Sequence, residues 1–329
     1  MVMTHQAGRL DALDVLRGLA VAGMILVVSP GDWAFAYAPL RHADWDGWTL
    51  ADMVFPTFLF SVGLAVSLAF PKTFGPGERR AFWIKAARRV GLLILIGLLL
   101  ETTYILCLAL GSGGPGVADL GHMRLPGVLQ RIALCYLLAV VAVMATGRRE
   151  PGAVSIRPRA IGLVIAAILL GYWLLMSFVP VPGHGAGHLD PAGNLAAFID
   201  RTIFTPDHLW QLGWAEWGGP LVYDPEGLLS TLPAATNVLF GVLAGHLLTS
   251  GRARPTLLIG LGGLTLFLAG LALDPLFVIN KRIWTSSFAL LSSGVSAMLL
   301  ASLLMALPHR AATVAATPFR ILGANAIAA

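Results

Sequence analysis

The stretch Arg88-Arg-Val-Gly-Leu-Leu-Ile-Leu-Ile-Gly-Leu-Leu-Leu100 decides the fold class. Paired arginines give way to an uncharged apolar run, which resumes past Glu101 as far as Ala109. A helix needs about 20 mostly apolar residues to cross the hydrocarbon core of a bilayer, and residues 86–109 supply them. The rest of the chain carries the same signature. Of 329 residues, 57% are hydrophobic and 12% charged, with a mean hydropathy of +0.79. A soluble domain carries about 25% charged residues. With so few charges the outer surface must face lipid. The sequence therefore predicts an all-α polytopic transmembrane helical bundle, a single domain over residues 1–329.

Working outward from that run, spans are expected near 12–30, 50–70, 86–109, 126–146, 160–179, 228–249, 256–273 and 284–306. A further apolar stretch, 318–329, is too short to cross. The expectation is eight complete spans plus a truncated ninth.

Loop charge assigns the sides. Lys72, Arg79, Arg80, Lys85, Arg88 and Arg89 fall between spans 2 and 3, and Arg148, Arg149, Arg157 and Arg159 between 4 and 5. Arg252 and Arg254 fall between 6 and 7, and Arg310 after 8. The alternate loops are poorer: Arg41; Arg124; Arg201; Lys281 with Arg282. Basic loops stay inside, so the N-terminus is expected in the cytoplasm. The first span is not read as a cleaved leader. Asp14 and Arg17 precede its apolar part, no A-x-A site follows, and cleavage would break the alternation.

This distribution also disposes of the net charge of +5 and pI of 9.6. The basic residues sit in short topology-setting clusters, with no basic groove or nucleic-acid module, so no nucleic-acid partner is expected. Cys107 and Cys135 lie inside apolar runs and exclude a disulfide framework or a cysteine zinc site. His184 and His188 are four apart in a Gly-rich loop with no helix to align them, and no metal is expected. That loop, about 180–227, is long and rich in Gly, Pro and Trp. Its Trp210, Trp214, Trp217 and Tyr223 suit either a structured cap or an interfacial aromatic belt.

Ionisable groups at the edges of spans are costly, and so are functional candidates. Asp14 and Arg17, at i,i+3, share a helix face and either pair or serve a ligand. Asp52, three residues after Thr49, is placed to complete a capping box for span 2. His42 is either a solvated loop histidine or, set among Arg41, Asp44 and Asp46, an imidazole oriented by a carboxylate for base catalysis. Asp224 and Glu226 are placed to cap span 6, and Lys281 and Arg282 to lie at the interface. Arg131, one turn into an apolar run, calls for a buried counter-charge. No P-loop, dinucleotide fingerprint or nucleophile elbow is present.

Together these segments resemble a known family. Leu10-Asp-Ala-Leu-Asp-Val-Leu-Arg-Gly18 is similar to the opening of transmembrane acyltransferases. The run from His42 to Phe60 resembles the heparan-α-glucosaminide N-acetyltransferase family more narrowly. So do Arg124–Ile132, Tyr223–Leu229, Asn280–Trp284 and Ile321–Ala326, in the same order. The resemblance implies an acyltransferase moving acetyl from cytoplasmic acetyl-CoA to an extracytoplasmic amino sugar or glycan, in a multi-pass protein of the cell (inner or plasma) membrane. It puts the active histidine at His42, with Asp44, Asp46 or Asp52 to orient it. Arg17, Arg131 or Asn280 then hold the pantetheine or the oxyanion.

Two departures stand out. Family members commonly carry asparagine near the end of span 1; here Val27-Val-Ser-Pro-Gly31 offers only Ser29. Either Ser29 substitutes or catalysis is impaired. Relatives also continue past the helix in which this sequence stops, which leaves a bundle face for a partner or a homodimer mate. The alternatives to an enzyme are a transporter or permease and an inactive partner subunit of the same fold.

Overall fold

The computed structural model describes residues 11–29, 31–32, 35–71, 77–112, 120–150, 153–214 and 220–326; Pro30, Lys72 and Trp217 lie outside them. Among the described residues the chain forms α1 (Asp11–Val28), α2 (Leu50–Ala69), α3 (Glu78–Ser112), α4 (Val128–Thr146) and α5 (Pro158–Phe178). It continues with α6 (Leu195–Phe204), α7 (Thr231–Thr249), α8 (Pro255–Leu273), α9 (Ser286–Ala306) and α10 (Arg310–Ala324). Seven of these, α2 to α5 and α7 to α9, are long and apolar enough to cross a membrane. The first half of α1 carries Asp11, Asp14 and Arg17, and α1 falls outside that set.

The structure departs from the sequence expectation in four places. Helix α3 starts at Glu78, so Arg79, Arg80, Lys85, Arg88 and Arg89 ride on its first turns rather than in a loop. Nothing between Glu78 and Val90 breaks a helix, and 35 residues at about 1.5 Å each outrun the ~30 Å core. The partial span expected at 318 begins instead at Arg310 and contains Pro318. The loop after α4 is a small hairpin, β1 (Arg148–Glu150) pairing antiparallel with β2 (Ala153–Ser155), an exception to the all-α expectation. The 180–227 loop is not bare: it holds α6, whose N-cap Asn194 accepts the Ala197 N–H at 2.8 Å.

Helices α2 and α7 form the centre of the bundle. A Cβ on Gly63 would lie 1.8 Å from the Val238 carbonyl oxygen, and one on Gly241 would lie 2.0 Å from that of Phe60. Only glycine permits two backbones this close, the usual device of membrane helices. Gly18 and Gly323 do the same between α1 and α10. By contrast α3 and α8 turn Leu92, Leu95, Leu99, Leu257, Leu261 and Leu268 outward, as lipid-facing helices should. The loops α1–α2, α3–α4, α5–α7 and α8–α9, those expected on the outer side, meet at one end of the bundle: Gly47 N–H donates to Ile279 O, Leu125 N–H to His208 O, and Trp45 Nε1 to Leu189 O.

Candidate active site

Thr49-Leu-Ala-Asp52 opens α2 with an extended N-cap at Thr49. Asp52 Oδ2 accepts the backbone N–H of Thr49 at 2.9 Å and of Ala43 at 3.2 Å, which is the expected capping role. Its other oxygen meets His42 Nδ1 at 2.7 Å. One carboxylate therefore both starts the helix and orients the imidazole; the two sequence readings of Asp52 are complementary. An ionised carboxylate only accepts, so Nδ1 carries the hydrogen and the neutral ring keeps its lone pair on Nε2. The Asp52 side chain is 1% exposed and that of His42 is 25% exposed, so the ring alone faces outward.

The third group comes from the far end of the sequence. Lys281 Nζ lies 3.4 Å from both His42 ring nitrogens and 3.9 Å from Asp52 Oδ1. The loop carrying it is fastened to the His42 loop twice. Gly47 N–H donates to Ile279 O at 2.7 Å, and Asn280 Nδ2 donates to Asp46 Oδ1 at 3.2 Å. Burial depresses the His42 pKa below the usual 6.5; the Asp52 hydrogen bond pulls it back, and the Lys281 and Arg282 charges push it further down. Burial likewise lowers Lys281 to about 8, with Asp52 and Glu226 opposing.

Beside this trio lies a second buried charge cluster. Arg124 grips Asp224 through Nε at 2.8 Å and Nη2 at 2.6 Å, and also pairs with Glu226. Burial drives the Glu226 carboxyl upward, but Arg124, Arg131 and Lys281 outweigh it and hold it below the usual carboxylate range. Trp45 and Trp210 stand edge-on to Tyr223 at 4.9 and 6.0 Å, and Arg282 sits 5.1 Å over Trp210. Tyr223 and Trp210 of the long loop are thus packed against Trp45 of the α1–α2 loop and Arg282 of the α8–α9 loop, which ties the three loops together.

Other expected site residues fare unevenly. Asp44 is exposed, and the carboxylate that holds His42 belongs to Asp52, which corrects the expectation for Asp44. Asn280 is buried with both ends of its amide occupied, Nδ2 by Asp46 and Oδ1 by the Ile283 N–H, so it is a clamp between loops. Arg131 is 1% exposed. It donates to Gly227 O at 3.0 Å and to Ser230, and its guanidinium lies 5.1 Å over Trp284. Its charge also acts on the buried Glu226 carboxylate of the outer loop, the kind of counter-charge expected for it. Arg17 donates to Gly323 O at 3.3 Å and lines, with Arg89, a cavity of about 440 Å³ walled by Phe58, Leu93 and Ile132. Ser29 is exposed at the end of α1. Lys281 was expected only to lie at the interface; its approach to His42 was not foreseen, because nothing local marks it. Asn237 was missed although an amide inside an apolar span is a signal: it takes Trp284 Nε1 and donates to Ser292 and Ser293.

Comparison with known proteins gives a consistent picture. Residues 9–185 match the family model described as heparan-alpha-glucosaminide N-acetyltransferase, catalytic, a segment that contains His42, Asp52, Arg124 and Arg131 but not Lys281. The heparan-alpha-glucosaminide N-acetyltransferase of Homo sapiens is 30% identical over 317 residues, covering 85% of this chain and 46% of that protein. Its Mus musculus counterpart is 28% identical over 319 residues, covering 86% and 47%. The chain spans about half the length of these curated relatives.

Proposed function

The chain belongs to the heparan-alpha-glucosaminide N-acetyltransferase family, and from that premise we propose that it is a membrane acetyltransferase that carries acetyl from cytoplasmic acetyl-CoA to an amino sugar or glycan on the opposite side. The observation that carries this reading is the His42–Asp52 pair: a 2.7 Å contact that orients an imidazole whose pKa is held below 6.5. Such a ring is neutral at physiological pH with a free Nε2 lone pair, the state a general base needs.

In the direct route the acceptor nitrogen attacks the thioester carbonyl carbon. Its proton passes to His42 Nε2, the C–S bond breaks, and coenzyme A leaves as thiolate. In the two-step route His42 Nε2 takes the acetyl group first and hands it on. The donor's anionic and apolar parts suit the cavity of about 440 Å³ between Arg17, Arg89 and the leucine-lined walls. Arg17 and Arg89 belong to the side where charge asymmetry puts the cytoplasm. With the N-terminus inside, α1 completes the odd number of crossings that brings His42 outside. Ser29, at the outer end of α1, is the polar group available to the substrate where relatives commonly have asparagine.

The test uses the full chain in proteoliposomes, with labelled acetyl-CoA in one compartment and amino sugars in the other. Label should reach the acceptor in the compartment facing the His42 loop, and H42A should abolish transfer. Equal transfer by wild type and H42A would remove His42 from the reaction. Uptake of an unmodified solute without coenzyme A would replace the enzyme with a transporter.

A further inference from the structure

Lys281 has no role in the capping, clamping or base chemistry derived above, yet it is the cation nearest the reacting ring. Resting on the acyl-transfer reading, we propose that Lys281 is a catalytic residue whose ammonium receives the negative charge that develops on the thioester carbonyl oxygen.

The geometry argues for it in three ways. First, equal distances of 3.4 Å to both His42 nitrogens put Nζ over the ring, not along either lone pair. Nε2 therefore stays free, and a carbonyl brought to Nε2 would set its oxygen against Nζ. A lysine serving only as counter-ion to Asp52 would close on that carboxylate; it stops at 3.9 Å from it. Second, the side chain is 12% exposed, so water does little to screen its charge, and preorganised charge in a dry site is where electrostatic stabilisation is largest. Third, its position is fixed before any substrate arrives. Asp274 Oδ1 accepts the Ile279 N–H at 2.7 Å, Thr285 Oγ1 accepts the Asn280 N–H at 3.0 Å, and Asn280 reaches across to Asp46.

The step balances without any further reactant. As the acceptor nitrogen bonds to the carbonyl carbon, the C=O π pair moves onto oxygen and is stabilised by the Lys281 ammonium. The pair then returns, the C–S bond breaks with its electrons going to the coenzyme A sulfur, and the acceptor's proton goes to His42 Nε2. Lys281 keeps its own protons throughout. Its protonation is governed by the groups that face it: Asp52 and Glu226 favour the charged form, while burial, Arg282 and Arg131 disfavour it, giving a pKa of about 8.

The test compares wild type, K281M and K281R in proteoliposomes, measuring kcat, KM for acetyl-CoA and the pH profile with one acceptor. K281M should lower kcat by about 10²- to 10³-fold, the usual effect of losing one oxyanion donor, with KM little changed. Wild-type activity should fall as pH rises through about 8. K281R, whose guanidinium stays charged, should recover much of kcat and lose that alkaline limb. Should K281M not fold, the K281R profile alone decides. Wild-type kcat in K281M, a loss confined to KM, or an unchanged alkaline limb in K281R overturns the assignment and leaves the acyl-transfer reading standing. Absence of transfer by wild type removes both.

Discussion

Replacing Asp52 with asparagine separates its two duties. The side chain keeps its size, so packing at this 1% exposed position is preserved. What changes is the inventory: one oxygen that accepts and an NH₂ that only donates. Asp52 Oδ2 now serves the N–H groups of Thr49 and Ala43, and Oδ1 serves His42. If the amide nitrogen faced the two backbone donors, they would be left unpaired at about 1–3 kcal/mol each. The cheaper arrangement keeps the oxygen on the backbone and turns the NH₂ toward His42 Nδ1. That forces the ring proton onto Nε2, the atom that must accept from the substrate. Fixing the wrong tautomer costs about 10⁴-fold in hydrolytic triads, or about 5 kcal/mol of barrier. We expect D52N to lose about 10³- to 10⁴-fold in kcat with its thermal unfolding close to wild type. Any residual acid limb should move to lower pH, because the Asp52 contact is what raises the His42 pKa. The assay is single-turnover transfer from labelled acetyl-CoA, with unfolding followed by tryptophan fluorescence. Activity within roughly threefold of wild type, alongside an inactive H42A, would show that Asp52 only caps the helix.

Three further outcomes follow from other contacts. Since the neutral ring is the active form and burial holds its pKa down, wild-type kcat/KM should rise with pH through a value below 6.5 and stay level until the alkaline fall near 8 set by Lys281; an acid limb centred above 6.5 contradicts this. R124M leaves Asp224 and Glu226, 0% and 8% exposed, without the arginine that contacts both. Breaking a buried pair from one side costs about 3–5 kcal/mol, so the variant should unfold several degrees lower in detergent, and an unchanged midpoint contradicts it. G241A sets a methyl 2.0 Å from the Phe60 carbonyl oxygen and must push α7 from α2. A loss of about 1–3 kcal/mol is expected, read as faster proteolysis or a lower unfolding midpoint; a neutral result means these helices are not in backbone contact.

The fold was legible wherever apolar content alone decides. Residues 50–70, 126–146, 160–179 and 256–273 became helices within two residues of their expected ends. Boundaries failed where charge and helix propensity disagree, as in Glu78–Arg89, where a basic segment marks a loop by topology but is a good helix by composition. In the site, Asp52 was legible because a capping box is local, and His42 because its neighbours are. Asp44 was an equally plausible partner in sequence; the structure leaves it exposed and sets Asp52 against the ring. Lys281 was legible as an interfacial cation but not as a neighbour of His42, since nothing within the local Asn280–Trp284 segment records that its loop crosses to another. Arg131 shows a different limit. Its need for compensation was foreseeable, but the form it took, a carbonyl, a hydroxyl and an indole face, was not.

The lashing of the α8–α9 loop to the α1–α2 loop has a consequence for biogenesis. His42 and Lys281 are 239 residues apart in sequence, and the strap that aligns them, Gly47 to Ile279, exists only when both loops have been delivered to the same side. A nascent chain that has threaded everything up to α7 already owns the His42–Asp52 pair but has no cation above it. The finished arrangement arrives with the last long hairpin, so orientation errors during insertion would strand Lys281 on the wrong side of the bilayer. Its proximity to His42 therefore reports correct threading of the chain.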